Sequence, residues 1–268
     1  MKIRPLGIYA LVYLVFLYVP VLFLPIFSFN DSAIVAFPLK GFTTQWYENL
    51  WSNEAMQGAL WNSLKVGLAT SIVSTILGIC GARALTRYRF PGKGGIAALI
   101  MLPLVLPEII VAISLLVVLL QLGFSLSLFS VTLGHILMCV PFSIAVLSSS
   151  FEGFDRSLEE ASLDLGEGPA MTFFRVTLPM VAPGILSSLL ITFTISLDEF
   201  IVAFFLSGTE PTLPVYIWSQ LRFPAKLPDV LALGSLLLVA SFILLSVAEV
   251  MRRRAARRAG ASSTGGFL

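Results

Sequence analysis

The chain has 268 residues, 57% of them hydrophobic and 12% charged, with a formal net charge of +2. Soluble domains carry about 25% charged residues, so composition excludes the one or two water-soluble domains that the length would allow and points to an integral membrane protein. The small net charge gives no reason to expect nucleic acid, and Cys80 and Cys139 both lie inside apolar runs, which excludes a secreted disulfide scaffold.

A helix needs about 20 apolar residues to cross the hydrocarbon, so the uncharged intervals define the expected spans. Pro5 to Asn30 carries no charge and predicts a first helix at about 6–28. Its apolar stretch exceeds the ~7–15 residues of a signal peptide and no small-residue cleavage site follows, so it reads as a retained span. Trp46, Trp51 and Trp61 suit an outer interfacial belt, and Trp46 could also stack on a cation at an entrance. The second helix is expected at about 60–82, where Gly67, Ser71, Ser74 and Gly78 form a small-residue stripe for close helix packing.

From Gly94 to Ser150 the only ionisable residues are Glu108 and His135, and the break at Gly123–Ser130 divides the stretch into helices at about 95–121 and 129–150. His135 reads as a packed histidine bonded to a backbone carbonyl rather than as a proton relay. Two further helices are expected at about 181–206, interrupted only by Asp198 and Glu199, and at about 229–249. The fold class is therefore all-α: a polytopic membrane protein with six transmembrane helices in one domain, residues 1–251. Residues 252–268 make a tail, basic at first and then Gly/Ser-rich and disordered.

Thirteen of the 17 Lys and Arg residues fall on one side if the N-terminus is cytoplasmic, and only Lys40, Arg222 and Lys226 lie in outer loops. The positive-inside rule then predicts that both termini are cytoplasmic. The arginines at 252–258 read as a stop-transfer anchor at the membrane lipid.

The long loop at 151–180 carries two short helices. Ser157 and Glu160 have the spacing of a capping box, with Asp155 adding negative charge at the helix start. Leu158, Ala161, Ser162 and Leu165 then form one narrow apolar or small face. Gly166 is expected to end this helix in the left-handed conformation. Pro169 begins a second helix and Leu178-Pro179 stops it. The result is either a rigid knob or an ordinary amphipathic linker.

Glu108 lies near the middle of its predicted span, where an acid costs ~2.5–3.5 kcal/mol on insertion scales and so needs a partner or a water-filled path. Pro103 and Pro107 loosen the backbone just before it. Asp198 and Glu199 sit in the outer half of the fifth span, about 100° apart on the helix, so both cannot point squarely into one pore. The only basic residue at comparable depth is Lys65, which could neutralise one acid in a purely structural pair. The other acids would suit an amine cation passing inward.

The run Glu160-Ala161-Ser162-Leu163-Asp164-Leu165-Gly166, followed by Val176-Thr177-Leu178-Pro179, resembles the EAA loop of ABC importer permeases, with Ser162 and Val176 as mild departures. Other segments are similar to spermidine/putrescine-type permeases. They are Gly41 to Tyr47, Arg87 to Phe90, Pro107 to Ser114, and Ser196 to Phe200. The resemblance implies a type I ABC importer permease of the bacterial inner membrane that forms half of a translocation pathway. It implies partners: an ABC ATPase dimer, a second homologous permease and a periplasmic substrate-binding protein. The coupling loop would comprise Ser157, Glu160, Ala161, Ser162, Asp164, Leu165, Gly166, Leu178 and Pro179, and the substrate pathway Glu108, Asp198, Glu199 and Trp46.

No G-x-x-x-x-G-K-[ST] phosphate loop occurs in the chain. ATP and Mg are therefore expected on the partner ATPase, with no cofactor or metal on this chain and no enzyme activity of its own. A polyamine is the expected cargo, with ferric iron, phosphonates and opines as alternatives. A proton-coupled carrier would also use intramembrane acids but would leave the knob without a purpose. An intramembrane hydrolase would have only His135 to draw on.

Overall fold

The computed structural model describes the backbone of residues 5–258 and the side chains of residues 6–243. Lys2, Arg4, the side chains of the tail arginines and the Gly/Ser-rich segment 259–268 lie outside the described residues. The described residues are helical throughout, apart from loops and an isolated antiparallel bridge between Asn30 and Phe42.

In chain order the helices are α1 (Pro5–Ser28), α2 (Gln45–Ser52), α3 (Glu54–Arg87), α4 (Lys93–Val105), α5 (Glu108–Gln121) and α6 (Leu128–Glu152). There follow α7 (Ser157–Asp164), α8 (Pro169–Thr172), a π-helical turn at Phe173–Thr177, α9 (Leu178–Asp198), α10 (Ile201–Leu206), α11 (Leu213–Gln220) and α12 (Leu227–Arg258). Among the described residues, five stretches are long and apolar enough to cross a membrane: Leu6–Ser28, Glu54–Arg87, Leu128–Glu152, Pro169–Asp198 and Pro224–Ile243.

The remaining expected span, 95–121, is not one helix. It breaks into α4 and α5, which meet at an angle of 106°. Leu106 is extended (φ −77°, ψ 145°) because the ring of Pro107 disfavours helical geometry in the residue before it, and Pro107 has no N–H to continue the ladder. At ~1.5 Å per residue neither half alone crosses the hydrocarbon. Glu108 is thus the first residue of α5 instead of a mid-helix residue at a depth set by counting.

The span expected at 181–206 is also divided. Its first helix ends at Asp198, Glu199 is extended (φ −68°, ψ 114°), and a short helix resumes at Ile201. Asp198 and Glu199 are therefore not helical neighbours about 100° apart.

The described chain divides into two compact units: residues 1–54 with 219–268, and residues 55–218. In the first, α1 packs along α12 and α12 packs against α2. Most side chains of α1 face outward, as lipid-facing residues do; Leu6, Tyr9 and Phe16 are strongly exposed. The loop after α1 is closed by Phe29 stacked on Phe42, by Tyr47 against Phe29, and by Asn30, whose Oδ1 accepts the Lys40 N–H at 2.9 Å.

The second unit is built on α3, α6 and α9, joined by small and hydroxyl side chains. The Ser188 hydroxyl bonds both Ser143 (2.7 Å) and Thr75 (3.1 Å), so one buried layer links all three helices. Gly78 lies against Ser143 and Gly184 against Ser150, so closely that a methyl group at either glycine would overlap the serine side chain. The stripe on α3 thus packs as expected from its spacing. One turn further along, the Cys139 thiol meets the Thr192 carbonyl, and beyond it His135 Nδ1 bonds Ser196 Oγ at 2.7 Å. His135 is buried as expected, but its partner is a hydroxyl on α9 instead of a backbone carbonyl.

Candidate functional site

Two sites emerge in the second unit: a pair of broken helices carrying the carboxylates, and the loop between α6 and α9.

At the breaks, α10 packs along α5. Val111, Ala112 and Leu119 of α5 share one buried core with Val202, Ala203 and Leu206 of α10, and Val66 of α3 joins it. This side-by-side packing brings the two interruptions together. Glu108 opens α5, where the positive end of the helix dipole favours an anion. Glu199 Oε1 accepts the Val202 N–H at 3.0 Å and so caps α10. The Glu199 carboxylate lies close enough to Glu108 to feel its charge. Glu108 and Asp198 are exposed, and Glu199 is half-buried. Lys65 is exposed and makes no ion pair among the described residues. Two carboxylates within range of each other's charge repel one another, and a passing cation would relieve that repulsion.

Trp46, the other expected pathway residue, belongs to the first unit. Its indole N–H donates to the Asn30 carbonyl at 2.9 Å and its side chain is half-buried. That bond ties α2 to the loop after α1.

The second site is the loop. The helix expected after Asp155 forms, but the Ser157–Glu160 capping box does not. Instead Asp155 Oδ1 accepts the Ser157 N–H at 2.9 Å and Arg156 occupies the cap position. Asp155, two residues upstream, reaches the free N–H first, and its two hydrogen bonds from Ser157, the backbone one foremost, hold its carboxyl below the usual carboxylate range. Glu160 is left on the surface, 3.3 Å from Arg156.

Gly166 has φ +90° and ends α7 as expected. The Glu167 N–H reaches the Ser162 carbonyl (3.2 Å) and the Gly166 N–H the Leu163 carbonyl (2.9 Å), the paired bonds of a Schellman cap.

The buried face of α7 differs from the expected one. Of Leu158, Ala161, Ser162 and Leu165 only Ser162 is buried, and its hydroxyl meets that of Thr172 at 3.1 Å. Leu158, Leu163 and Leu165 point outward, with Leu165 87% exposed, and Met171 and Phe174 are exposed as well. Asp164 is exposed too.

Leu178-Pro179 does not end the second short helix. The Leu178 N–H reaches back five residues to the Phe173 carbonyl, and this widened turn leads from α8 directly into α9. A widened turn accommodates Pro179, which has no N–H and whose ring crowds the carbonyl four residues back.

Sequence reasoning missed Glu159. Its Oε1 accepts the Thr177 hydroxyl at 2.6 Å and its Oε2 lies 3.5 Å from Arg87 Nε at the end of α3. Arg87 also donates to the Phe154 carbonyl at 3.3 Å and lies over the Phe154 ring, while Arg83 stands 4.3 Å above the Phe173 ring. The available signal was the acid three residues before Ser162, on the same helical face.

A family model described as "binding-protein-dependent transport system inner membrane component" matches residues 72–257. The chain is 37% identical over 251 residues to the putrescine transport system permease protein PotI of Escherichia coli K12, covering 91% of this chain and 89% of that one. It is 33% identical over 239 residues to the spermidine/putrescine transport system permease protein PotC of the same strain, covering 89% and 90%. A bacterial ABC transporter for the acidic polysaccharide alginate has a similar fold, with a TM-score of 0.71 at 18% identity over 94% of this chain and 97% of that one.

Proposed function

Since the chain belongs to the binding-protein-dependent inner-membrane permeases of ABC importers, we propose that it forms half of a polyamine translocation pathway. The observation that carries the cargo assignment is that the packing of α10 on α5 brings the breaks at Glu108 and Glu199 within range of each other's charge, with Asp198 next to Glu199 in the chain. Fixed negative charge at irregular backbone suits an amine cation, and such backbone is tolerated at membrane depth where it lines a path for solute or water. The putrescine and spermidine permeases PotI and PotC agree with this cargo.

The exposed apolar residues of the loop, Leu158, Leu163, Leu165, Met171 and Phe174, form the docking surface for a separate ABC ATPase dimer that binds ATP and Mg. Their exposure beside a well-capped helix supports this reading. Glu160 would contribute a surface charge to the contact but no capping bond. Both termini are cytoplasmic, supported by the distribution of Lys and Arg. The pathway is completed by a second permease related to this chain, and cargo arrives on a periplasmic binding protein; a structural neighbour is an alginate transporter in complex with a periplasmic protein.

The test is uptake of labelled putrescine into proteoliposomes holding the full complex. ATP-dependent uptake, competed by spermidine and not by a phosphonate or ferric iron, is expected. Uptake driven by a proton gradient without ATP would overturn the importer assignment.

A further inference from the structure

We propose that Arg87 and Glu159 are positioning residues for energy coupling, the clamp through which movement of the loop reaches the transmembrane helices; this rests on the permease reading above. The last two turns of α3 hold the loop at three points. Arg87 binds the loop where it begins, through the carbonyl (3.3 Å) and ring of Phe154. It holds α7 through Glu159 Oε2 at 3.5 Å. Arg83, one turn earlier, covers the Phe173 ring where the chain enters the π-helical turn. Glu159 then passes the connection to α9 by accepting the Thr177 hydroxyl at 2.6 Å.

The pair differs from the other ion pairs of the loop. The side chains of Arg87 and Glu159 are 15% and 14% exposed, against 67% and 63% for Arg156 and Glu160. Solvated pairs contribute little and are screened by salt. A shielded pair with additional hydrogen bonds keeps its geometry, and breaking it leaves an uncompensated charge.

Helix α7 therefore has two working faces. Leu163 and Leu165 point outward, while Glu159 and Ser162 point inward to α3 and to α8. A push on the outer face is delivered to the end of α3 through the charge pair. Helix α3 is 34 residues long, and Val66, far from that end, belongs to the core that seats α5 and α10 beside the carboxylates. The clamp thus joins the loop to the helix breaks by a continuous packed route.

The experiment measures putrescine imported per ATP hydrolysed in the reconstituted full complex. Glu159→Gln is expected to assemble and keep its basal ATP hydrolysis but to lower that ratio about tenfold, within the usual range of coupling between distant sites. Arg87→Lys keeps the charge but loses the planar fork, so a smaller fall is expected. The charge-reversed pair Arg87→Glu with Glu159→Arg should restore most of the ratio. Wild-type ratios in both single variants would overturn the clamp. So would transport and ATPase falling together, in proportion to lost assembly, in all three variants. Absence of putrescine uptake in the wild-type complex would overturn the cargo assignment instead. The clamp is then scored by binding-protein-stimulated ATPase, lost in Glu159→Gln and regained in the reversed pair if it holds.

Discussion

At Gly166 a Cβ would meet no neighbour within 4 Å, so the cost of a side chain there is confined to the backbone, held at φ +90°. Gly166→Ala should destabilise the end of α7 by roughly 1–2 kcal/mol, seen as faster amide exchange at Gly166 and Glu167, whose N–H groups make the Schellman bonds. Gly94 is equally open but has no positive φ. Gly94→Ala should therefore be neutral or mildly stabilising, since alanine is the better helix former by about 1 kcal/mol. Gly78 behaves differently again. Its Cβ would overlap Ser143, so Gly78→Ala must part α3 from α6 and strain the Ser143–Ser188 bond. A loss of about 1–3 kcal/mol is expected, read as a lower unfolding temperature in detergent. Equal effects at all three glycines would contradict this ordering.

Among the elements, α7 has a pH dependence whose sign can be worked out. Asp155 has its carboxyl held below the ordinary carboxylate range by the hydrogen bonds from Ser157. Folding thus favours the ionised form, and its contribution is present above the unfolded carboxylate pKa and lost as pH falls through the lower folded value. Amide exchange at Ser157 should quicken relative to the rest of α7 as the medium is acidified into that range, and Asp155→Ala should abolish the difference. The same helix shows how much was legible in sequence. Gly166 was readable because a left-handed cap has a residue-specific cost, and His135 because a lone histidine in an apolar run is usually packed. The capping box was misread because Asp155 and Glu160 compete for the same Ser157 N–H, and spacing cannot rank them. The buried face was misread because it follows from Arg87, 72 positions away from Glu159, and not from local apolar periodicity. The proline-linked break at Leu106-Pro107 was visible as a weak point, but its 106° angle depends on where α5 finds α10.

For the molecule as a whole, membrane class and family were legible because composition and the loop motif depend on residue type alone. The carboxylate site was half legible: the acids stand out against an apolar background, but their meeting depends on two breaks that straight-helix counting cannot produce. The breaks change what charge neutralisation should do. In a continuous fifth helix Asp198 and Glu199 would point apart, and one of them would be dispensable. In the broken one, Glu199 lies within range of the Glu108 charge and also caps α10, so its replacement by Gln removes charge while keeping an acceptor for the Val202 N–H. Glu199→Gln and Glu108→Gln should each reduce putrescine uptake, with expression and assembly nearly unchanged. The double variant should fall less than the product of the two single effects, because either loss already relieves the repulsion that a cation would relieve. Asp198→Asn, at an exposed helix end, should act independently and multiply with either. Initial uptake rates over a range of putrescine concentrations in proteoliposomes check both statements. Wild-type rates in the Glu108 and Glu199 variants would reduce these carboxylates to structural groups, and a strictly multiplicative double variant would show that the two breaks do not act as one site.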